Sequence, residues 1–336
     1  MNFEKYSTVI WKRLSELILK QTADVYDIVK YSLGVLDQEG NMQTKPSGKI
    51  LRSILCTFTC DSTGGNWEKA LQSAISLELI HNFSLIHDDI QDEDIQRRHQ
   101  PTAWTLWGKE KALVGGTTTH CLANITSLME FSDLGSDSAI QLHLSKVLSE
   151  KCLQMIQGQV LDLSFEHKTN VTIDEYLEMI SGKTAALISC AMHMGAYISE
   201  QNDSKALLFN NIGYLLGLAY QIRDDILGIW GNSESTGKGV GSDVFRKKKS
   251  LPIIHGSQIP EHKTSITEIY SKNTVDKADL ASVMEIMDTC KTQAYCQNLA
   301  NAYCDKAIKN INDAPIDQHA KKEMVELAHY FVERNT

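Results

Sequence analysis

The chain has 336 residues, 42% of them hydrophobic and 22% charged, with a formal net charge of −9. That is ordinary globular composition with enough apolar material for a sizeable core. The acidic balance argues against a nucleic-acid binder, which needs a basic face. Eight cysteines without a C-x-x-C pair fit free core thiols in a reducing cytoplasm. The opening M-N-F-E-K-Y does not read as a leader, and no apolar run reaches the roughly 18 residues of a spanning helix. A cytoplasmic protein is expected.

All five prolines stand near expected helix boundaries, and none lies between Pro101 and Pro252. Apolar residues recur at i, i+3, i+4 and i+7, and no strand-like alternation is evident, so the chain reads as all-α, a single domain over 1–336. Residues Phe3 to Leu36 predict one or two amphipathic helices, and Asp37 to Ser47 a polar loop. Lys49 and Arg52 follow on a helix expected to run through Cys60, i and i+3 on one face. A helix N-terminus with two cations suits a diphosphate, and equally a solvated first turn. Trp67 to His87 is an apolar helix with Glu78, His81 and Asn82 embedded, and it runs into Asp88, Asp89 and Asp92, then Arg97 and Arg98. Asp88 and Asp92 share a helical face, where like charges repel by a few tenths of a kcal/mol. A divalent ion such as Mg2+, bridging carboxylates to phosphate oxygens, would offset that, and guanidinium groups suit the phosphates. A solvated acidic helix end is the bland alternative.

Further on, Thr117 to Met129 and Lys146 to Glu166 predict helices, the second carrying Gln157-Gly158-Gln159 and Asp162. Tyr176 to Ile198 contains Ser181-Gly182-Lys183-Thr184. A glycine within a helix costs about 1 kcal/mol relative to alanine, so Gly182 marks a kink that could aim Lys183 into a cavity. The apolar run Ile212 to Tyr220 ends in Gln221-Ile-Arg-Asp224-Asp225-Ile-Leu-Gly228, followed by Lys238, Asp243 and the basic run Arg246 to Lys249. Two more helical stretches, about Val275 to Asn312 and Ile316 to Glu333, close the chain.

Two apolar helices, each ending in paired aspartates with basic residues trailing, lie in an order and spacing from Lys45 to Pro252 that resembles the trans-isoprenyl diphosphate synthase (polyprenyl synthetase) family, and within it the geranylgeranyl diphosphate synthases. The resemblance implies an isoprenoid-synthase-type helical bundle around a central active-site cavity, a homodimer, and Mg2+-dependent head-to-tail condensation of isopentenyl diphosphate with an allylic diphosphate. Any membrane contact would be peripheral, through the lipidic product. It implies Asp88, Asp92 and Asp224 as metal ligands, supported by Asp89 and Asp225. It places Arg97, Lys183, Thr184, Gln221, Lys238 and Lys248 on the allylic side, Lys49, Arg52, His81 and Arg98 on isopentenyl diphosphate, and Asp162 beside Lys183 and Arg97.

The chain departs from the family pattern at several points. Ile50 and Ser53 stand where the motif G-G-K-R-x-R-P has arginine and proline, His99 where glycine often follows R-R, and Gly116 where an aspartate is common. Gly228 replaces the last aspartate of D-D-x-x-D; with Asp224 carrying the metal, Gly228→Asp should change activity only modestly. Phe83 and Ser84 precede Asp88 by five and four residues. Helical side chains point toward the N-terminus, so these two should line the wall along which a growing tail extends. One aromatic followed by one small residue resembles geranylgeranyl-type enzymes and a twenty-carbon product. A terpene synthase on the same fold has no use for Lys49, Arg52, His81 and Arg98, and a non-catalytic subunit could lose its aspartates.

Overall fold

Helices make up nearly all of the regular structure, as the 3.6-residue apolar spacing predicts. The computed structural model describes residues 3–46, 48–129, 137–231 and 240–334. Two compact units emerge, Met1–Cys152 with Cys190–Asn210, and Leu153–Ser189 with Asn211–Thr336. Their boundaries fall inside three long helices, α7 (Ser138–His167), α9 (Ala186–Glu200) and α10 (Asp203–Trp230).

The first unit is built on α4 (Leu71–Gln91), whose middle is buried all round: Ala74, Ile75, Leu77, Leu79 and Ile80 have no exposed surface. A helix apolar on every side needs neighbours on every side. These are α1 (Glu4–Leu19), α3 (Leu51–Ser62) and, most extensively, α6 (Lys109–Leu128), with α2 (Val25–Ser32) and α5 (Ala103–Trp107) packed against α6. Gly115 and Gly116 set the α6 contacts. A Cβ at 115 would lie 2.6 Å from Ile28 Cγ2, and one at 116 would lie 2.4 Å from the His87 ring. A side chain at 116, aspartate included, would press into the His87 ring.

Among the described residues a short ribbon interrupts the helices, which the helical spacing does not predict. Strands β1 (Gln96–Arg97) and β2 (Gln100–Pro101) pair antiparallel, Arg97 opposite Gln100. Between them Arg98 and His99 have φ of 53° and 64°, the two left-handed positions of a tight hairpin turn. That conformation favours glycine, and His99 adopts it at some cost.

In the second unit, α8 (Ile173–Ile180) opens with a capping box between Thr172 and Glu175. A wider π-type turn, Ser181–Ala185, joins it to α9. Short α11 (Ser242–Phe245) and α12 (Leu251–Gln258) lead to α13 (Pro260–Ser271), α14 (Lys277–Thr289), α15 (Thr292–Asp313) and α16 (Gln318–Glu333). Ile229, Val244, Ile253, Ile266, Val283 and Met287 form one core here. The stretch expected as one helix from Val275 is two: Lys291 turns left-handed, φ 51°, and breaks it.

Candidate active site

In the first unit, α4 delivers the aspartates at its C-terminal end. The Asp92 N–H donates to the Asp88 carbonyl at 2.8 Å, so the helical turn carries through Asp92 and stacks the two carboxylates one turn apart. Asp92 is exposed, and Asp88 half-buried. Asp89 lies about 100° round the helix and is buried, 6% exposed. Arg97 reaches back from the ribbon: its Nε donates to Asp89 Oδ1 at 2.6 Å and its Nη2 to Asp88 Oδ2 at 3.3 Å. Burial pushes the Asp89 carboxyl above the usual range, against the pull of Arg97, and the Asp88 charge adds to the rise.

The other basic residues of this unit come from three segments. Lys49 is not on the helix: α3 starts at Leu51, and Ile50 before it has φ 40°, ψ 39°, a strained backbone for a β-branched residue. Lys49 and Arg52 are therefore not related by helical spacing, contrary to the sequence expectation. Arg98 lies close over Gly48, where a Cβ would come within 2.4 Å of its guanidinium carbon. His81, one helical face along α4, is pushed well below the ordinary histidine range by burial and then by Arg52, Arg98 and Arg97. It is a neutral imidazole at neutral pH, surrounded by fixed positive charge. Phe83 is buried and packs edge-on to His87, ring centroids 5.0 Å apart, and against His120 of α6 at 4.9 Å. The Ser84 hydroxyl bonds back to the His81 carbonyl at 2.7 Å.

In the second unit, α10 carries the second aspartate pair. Asp224 is exposed, and Asp225 is 1% exposed with its oxygens fully engaged. Asp225 accepts from the Tyr176 hydroxyl at 2.7 Å, the Leu251 N–H at 3.0 Å and Gln221 Nε2 at 2.9 Å, with Lys248 Nζ at 3.5 Å. Gln221 in turn accepts from the Thr184 hydroxyl at 2.6 Å. Burial works against the Lys248 ammonium, yet Asp225, Asp243, Asp162 and Asp224 together raise it well above the lysine range. Lys183, carried by the π-type turn, forms an ion pair with Asp162 as expected. Two glycines permit it: a Cβ at Gly158 would strike Lys183 N at 2.1 Å, and one at Gly182 would strike the Gln154 carbonyl oxygen at 2.6 Å. Wider turns of this kind recur at functional sites.

Gly228 has a second meaning here. A Cβ at 228 would lie 2.3 Å from Asp243 Oδ2 and 2.5 Å from its Cγ. The buried Asp243 carboxylate fills the space that an aspartate at 228 would enter, so Gly228→Asp is not the mild change the sequence suggested. Lys247 and Lys249 of the basic run donate to the carbonyls of Lys272 and Lys168. Lys238 lies outside the described residues.

Among the described residues no three His, Cys, Asp or Glu side chains converge into a metal cage. The donor sets on offer are all-oxygen: Asp88 with Asp92 in one unit and Asp224 in the other. That chemistry fits a hard divalent cation that takes one or two carboxylates and completes its shell with phosphate oxygens and water.

Residues 35–287 match the polyprenyl synthetase family. The chain belongs to that family. A (2E,6E)-farnesyl diphosphate synthase of Mycobacterium tuberculosis is 34% identical over 326 residues, covering 94% of this chain and 89% of that protein. A geranylgeranyl diphosphate synthase of Saccharolobus solfataricus is 31% identical over 323 residues, covering 95% and 96%. Among solved structures, a polyprenyl synthetase from Streptomyces coelicolor A3(2) superposes with a TM-score of 0.90 at 28% identity, with 98% of both chains covered. Enzymes of this family use divalent metal ions.

Three residues around the second aspartate pair carry little signal in the sequence. Tyr176 gave no signal beyond an amphipathic pattern. Asp243 follows Gly241 by two residues, a spacing that marks a turn and no chemical role. Arg334, the last described residue, is 110 positions from its partner: its Nη2 donates to Asp224 Oδ1 at 2.9 Å, and its guanidinium stacks 3.9 Å from the Tyr220 ring centre. Nothing local could have found it.

Proposed function

We propose that this chain is a Mg2+-dependent short-chain trans-prenyl diphosphate synthase that makes mainly geranylgeranyl diphosphate. It is a trans-prenyltransferase of the polyprenyl synthetase family. The single observation that carries the reading beyond the family is neutral His81 under the charge of Arg52, Arg98 and Arg97, in the same unit as Lys49, Asp88 and Asp92. A lyase that only ionises one diphosphate has no use for a second set of anion-binding groups.

The chain is read as a single prenyl synthase domain over 1–336. Asp88, Asp92 and Asp224 would hold the Mg2+, which supplies Lewis-acid neutralisation of the departing diphosphate oxygens. Asp89 and Asp225 hold the helix ends and basic groups in place. Arg97, Lys183, Lys238 and Lys248, with Thr184 and Gln221 bracing them, present preorganised positive charge to the allylic diphosphate. Its C–O bond breaks with both electrons going to the diphosphate. Lys49, Arg52, His81 and Arg98 fix isopentenyl diphosphate so that its double bond faces the allylic cation, a positioning effect. A carbon–carbon bond forms, and the proton lost from the adduct goes to the released diphosphate.

The relatives carry both farnesyl and geranylgeranyl names, and Phe83 beside Ser84 supports the longer product. No described helix is long and apolar enough to cross a membrane. The expected site of action is the cytoplasm. A homodimer is supported by α6, which exposes Leu113, Val114, Ile125 and Leu128 beside a groove of about 320 Å3; sedimentation of the purified protein checks it. The activity is tested with Mg2+, labelled isopentenyl diphosphate and dimethylallyl, geranyl or farnesyl diphosphate in turn, followed by chromatography of the dephosphorylated products. A dominant C20 alcohol is expected. A dominant C15 alcohol makes the chain a farnesyl diphosphate synthase, and no labelled product with any primer removes the reading.

A further inference from the structure

Arg334 closes α16 and reaches the second aspartate pair, yet the proposed reaction gives it no part. It is the C-cap of that helix, its N–H donating to the Tyr330 carbonyl at 3.1 Å. Its guanidinium lies over the Tyr220 ring, 3.9 Å from the centre, and its Nη2 donates to Asp224 Oδ1 at 2.9 Å. Tyr220 and Asp224 are i and i+4 on α10, on one face a turn apart. A planar guanidinium can cover the ring and still present its edge to the carboxylate, which a compact ammonium does less well.

The two partners differ in exposure. The Arg334 side chain is 4% exposed and that of Asp224 51%. The arginine is therefore the fixed half of the pair, and the carboxylate is the half that reaches out. Solvent screens a pair of this kind, and its direct contribution to stability is small. Its main consequence is geometric, because a side chain on an open helix face is held in one orientation.

The arginine is held in turn through its backbone. Arg223, next to Asp224 on α10, donates from Nε to the Arg334 carbonyl at 2.9 Å and from Nη1 to Gln297 Oε1 at 2.7 Å. Gln297 of α15 donates onward to the Val332 carbonyl at 3.4 Å. Phe331 is fully buried and packs edge-on to Tyr220, ring centroids 5.2 Å apart. Two arginines thus cross in opposite senses. Arg223 runs from α10 to the backbone of Arg334, and Arg334 runs back to the residue after Arg223. That clasp ties the end of α16 to α10 at Asp224.

We infer that Arg334 is a positioning residue for the divalent cation, holding the Asp224 carboxylate in the orientation in which it takes the ion. Arg334 acts through Asp224 and not on the substrate. Hydrogen-bond partners behind a metal-binding group are worth about 10–100-fold in metal affinity. The inference rests on the reading of Asp224 as a cation ligand.

The test adds Mn2+, which shares the preference of Mg2+ for carboxylate and water oxygens, to the substrate-free protein, and electron paramagnetic resonance counts the free ion. The share of binding that Asp224→Ala abolishes defines the Asp224 site. Arg334→Met keeps much of the bulk and removes the donors. It should weaken binding at that site about tenfold or more, and Arg334→Lys should recover part of the loss. Arg223→Met, which loosens the clasp and leaves the Arg334 side chain in place, should weaken it about threefold. In turnover, the Mg2+ concentration for half-maximal rate should rise in the same order, with kcat at saturating Mg2+ within a few-fold of wild type. Should Arg334→Met not fold, Arg334→Lys and Arg223→Met decide. A lower melting temperature with unchanged Mn2+ affinity makes the clasp purely structural and overturns the inference, as does tighter binding in Arg334→Met. Full Mn2+ binding in Asp224→Ala overturns the reading of Asp224 as a ligand, and the inference with it.

Discussion

The two aspartate pairs have the same layout and different means of support. In each, the first aspartate reaches solvent and the next one turns inward: Asp88 and Asp89 at the end of α4, Asp224 and Asp225 on α10. Adjacent helical positions point about 100° apart, so a D-D pair at a surface naturally divides into an outer and an inner carboxylate. The first pair is supported locally, since Arg97 lies within ten residues of both aspartates. The second draws on Tyr176, Lys248, the Leu251 N–H and Arg334, between 23 and 110 positions away. One motif can be read as a motif; the other is completed only when distant helices arrive.

The outer aspartates should dominate the chemistry of both pairs. Asp88→Ala and Asp224→Ala are each expected to lower kcat by about two to three orders of magnitude, with circular dichroism unchanged. The comparison breaks if either variant turns over at near wild-type rate in saturating Mg2+.

The inner aspartates should separate the two regions by stability. Removing Asp225 leaves a buried tyrosine hydroxyl, a buried backbone N–H and the Lys248 ammonium without their acceptor. Such losses cost about 3–5 kcal/mol. Asp89→Ala removes one partner of an arginine that remains partly exposed and keeps Asp88, so about 1 kcal/mol is expected. Urea denaturation of Asp225→Ala and Asp89→Ala measures the gap; equal costs would show that distant support adds nothing.

This contrast also marks what the sequence could reveal. Helix periodicity placed α4, α6 and α10, and the aspartates with their trailing arginines were legible because chemistry and chain proximity coincide there. The disturbed helix at Lys183 was legible from Gly182, whereas its pairing with Asp162 came from the family resemblance and not from spacing. The hairpin at Arg98 and His99 was not legible, since its glycine signal is absent. The sequence places Lys49 on a helix because nothing in Ile50 announces a left-handed residue. Arg334 and Tyr176 depend on tertiary packing, which spacing rules do not encode.

Gly228 sharpens the comparison from the weaker side. Read as a missing outer ligand, it suggests that Gly228→Asp should change activity only modestly. With Asp243 already in that space, the new side chain must displace a buried carboxylate of its own charge. Overpacking of this kind costs about 1–3 kcal/mol, and the expected outcome is a lower melting temperature with reduced kcat. Gly228→Ala tests the steric part alone and should show a smaller loss of stability. An Mg2+ optimum that moves down in Gly228→Asp, with stability intact, would mean that the space can hold both carboxylates.

The smallest expected effect on rate, and the most specific, concerns Phe83. It lies on α4 upstream of Asp88, which orients its ring back along the helix and away from the reacting end. There it is wedged between His87 of its own helix and His120 of α6, so the ring cannot swing aside without repacking both. Ser84 next to it is short, and its hydroxyl is turned back onto the His81 carbonyl, leaving the adjacent wall unobstructed. A tail that grows along this wall should stop at the ring. Phe83→Ala should shift the product distribution beyond C20, and Ser84→Phe should shorten it toward C15, each with kcat for the first condensation within a few-fold of wild type. His120→Ala, which removes the support behind the ring, should lengthen products in the same direction as Phe83→Ala but less. Chromatography of the dephosphorylated alcohols reads all three. An identical length distribution in Phe83→Ala and wild type would place the floor elsewhere on the chain.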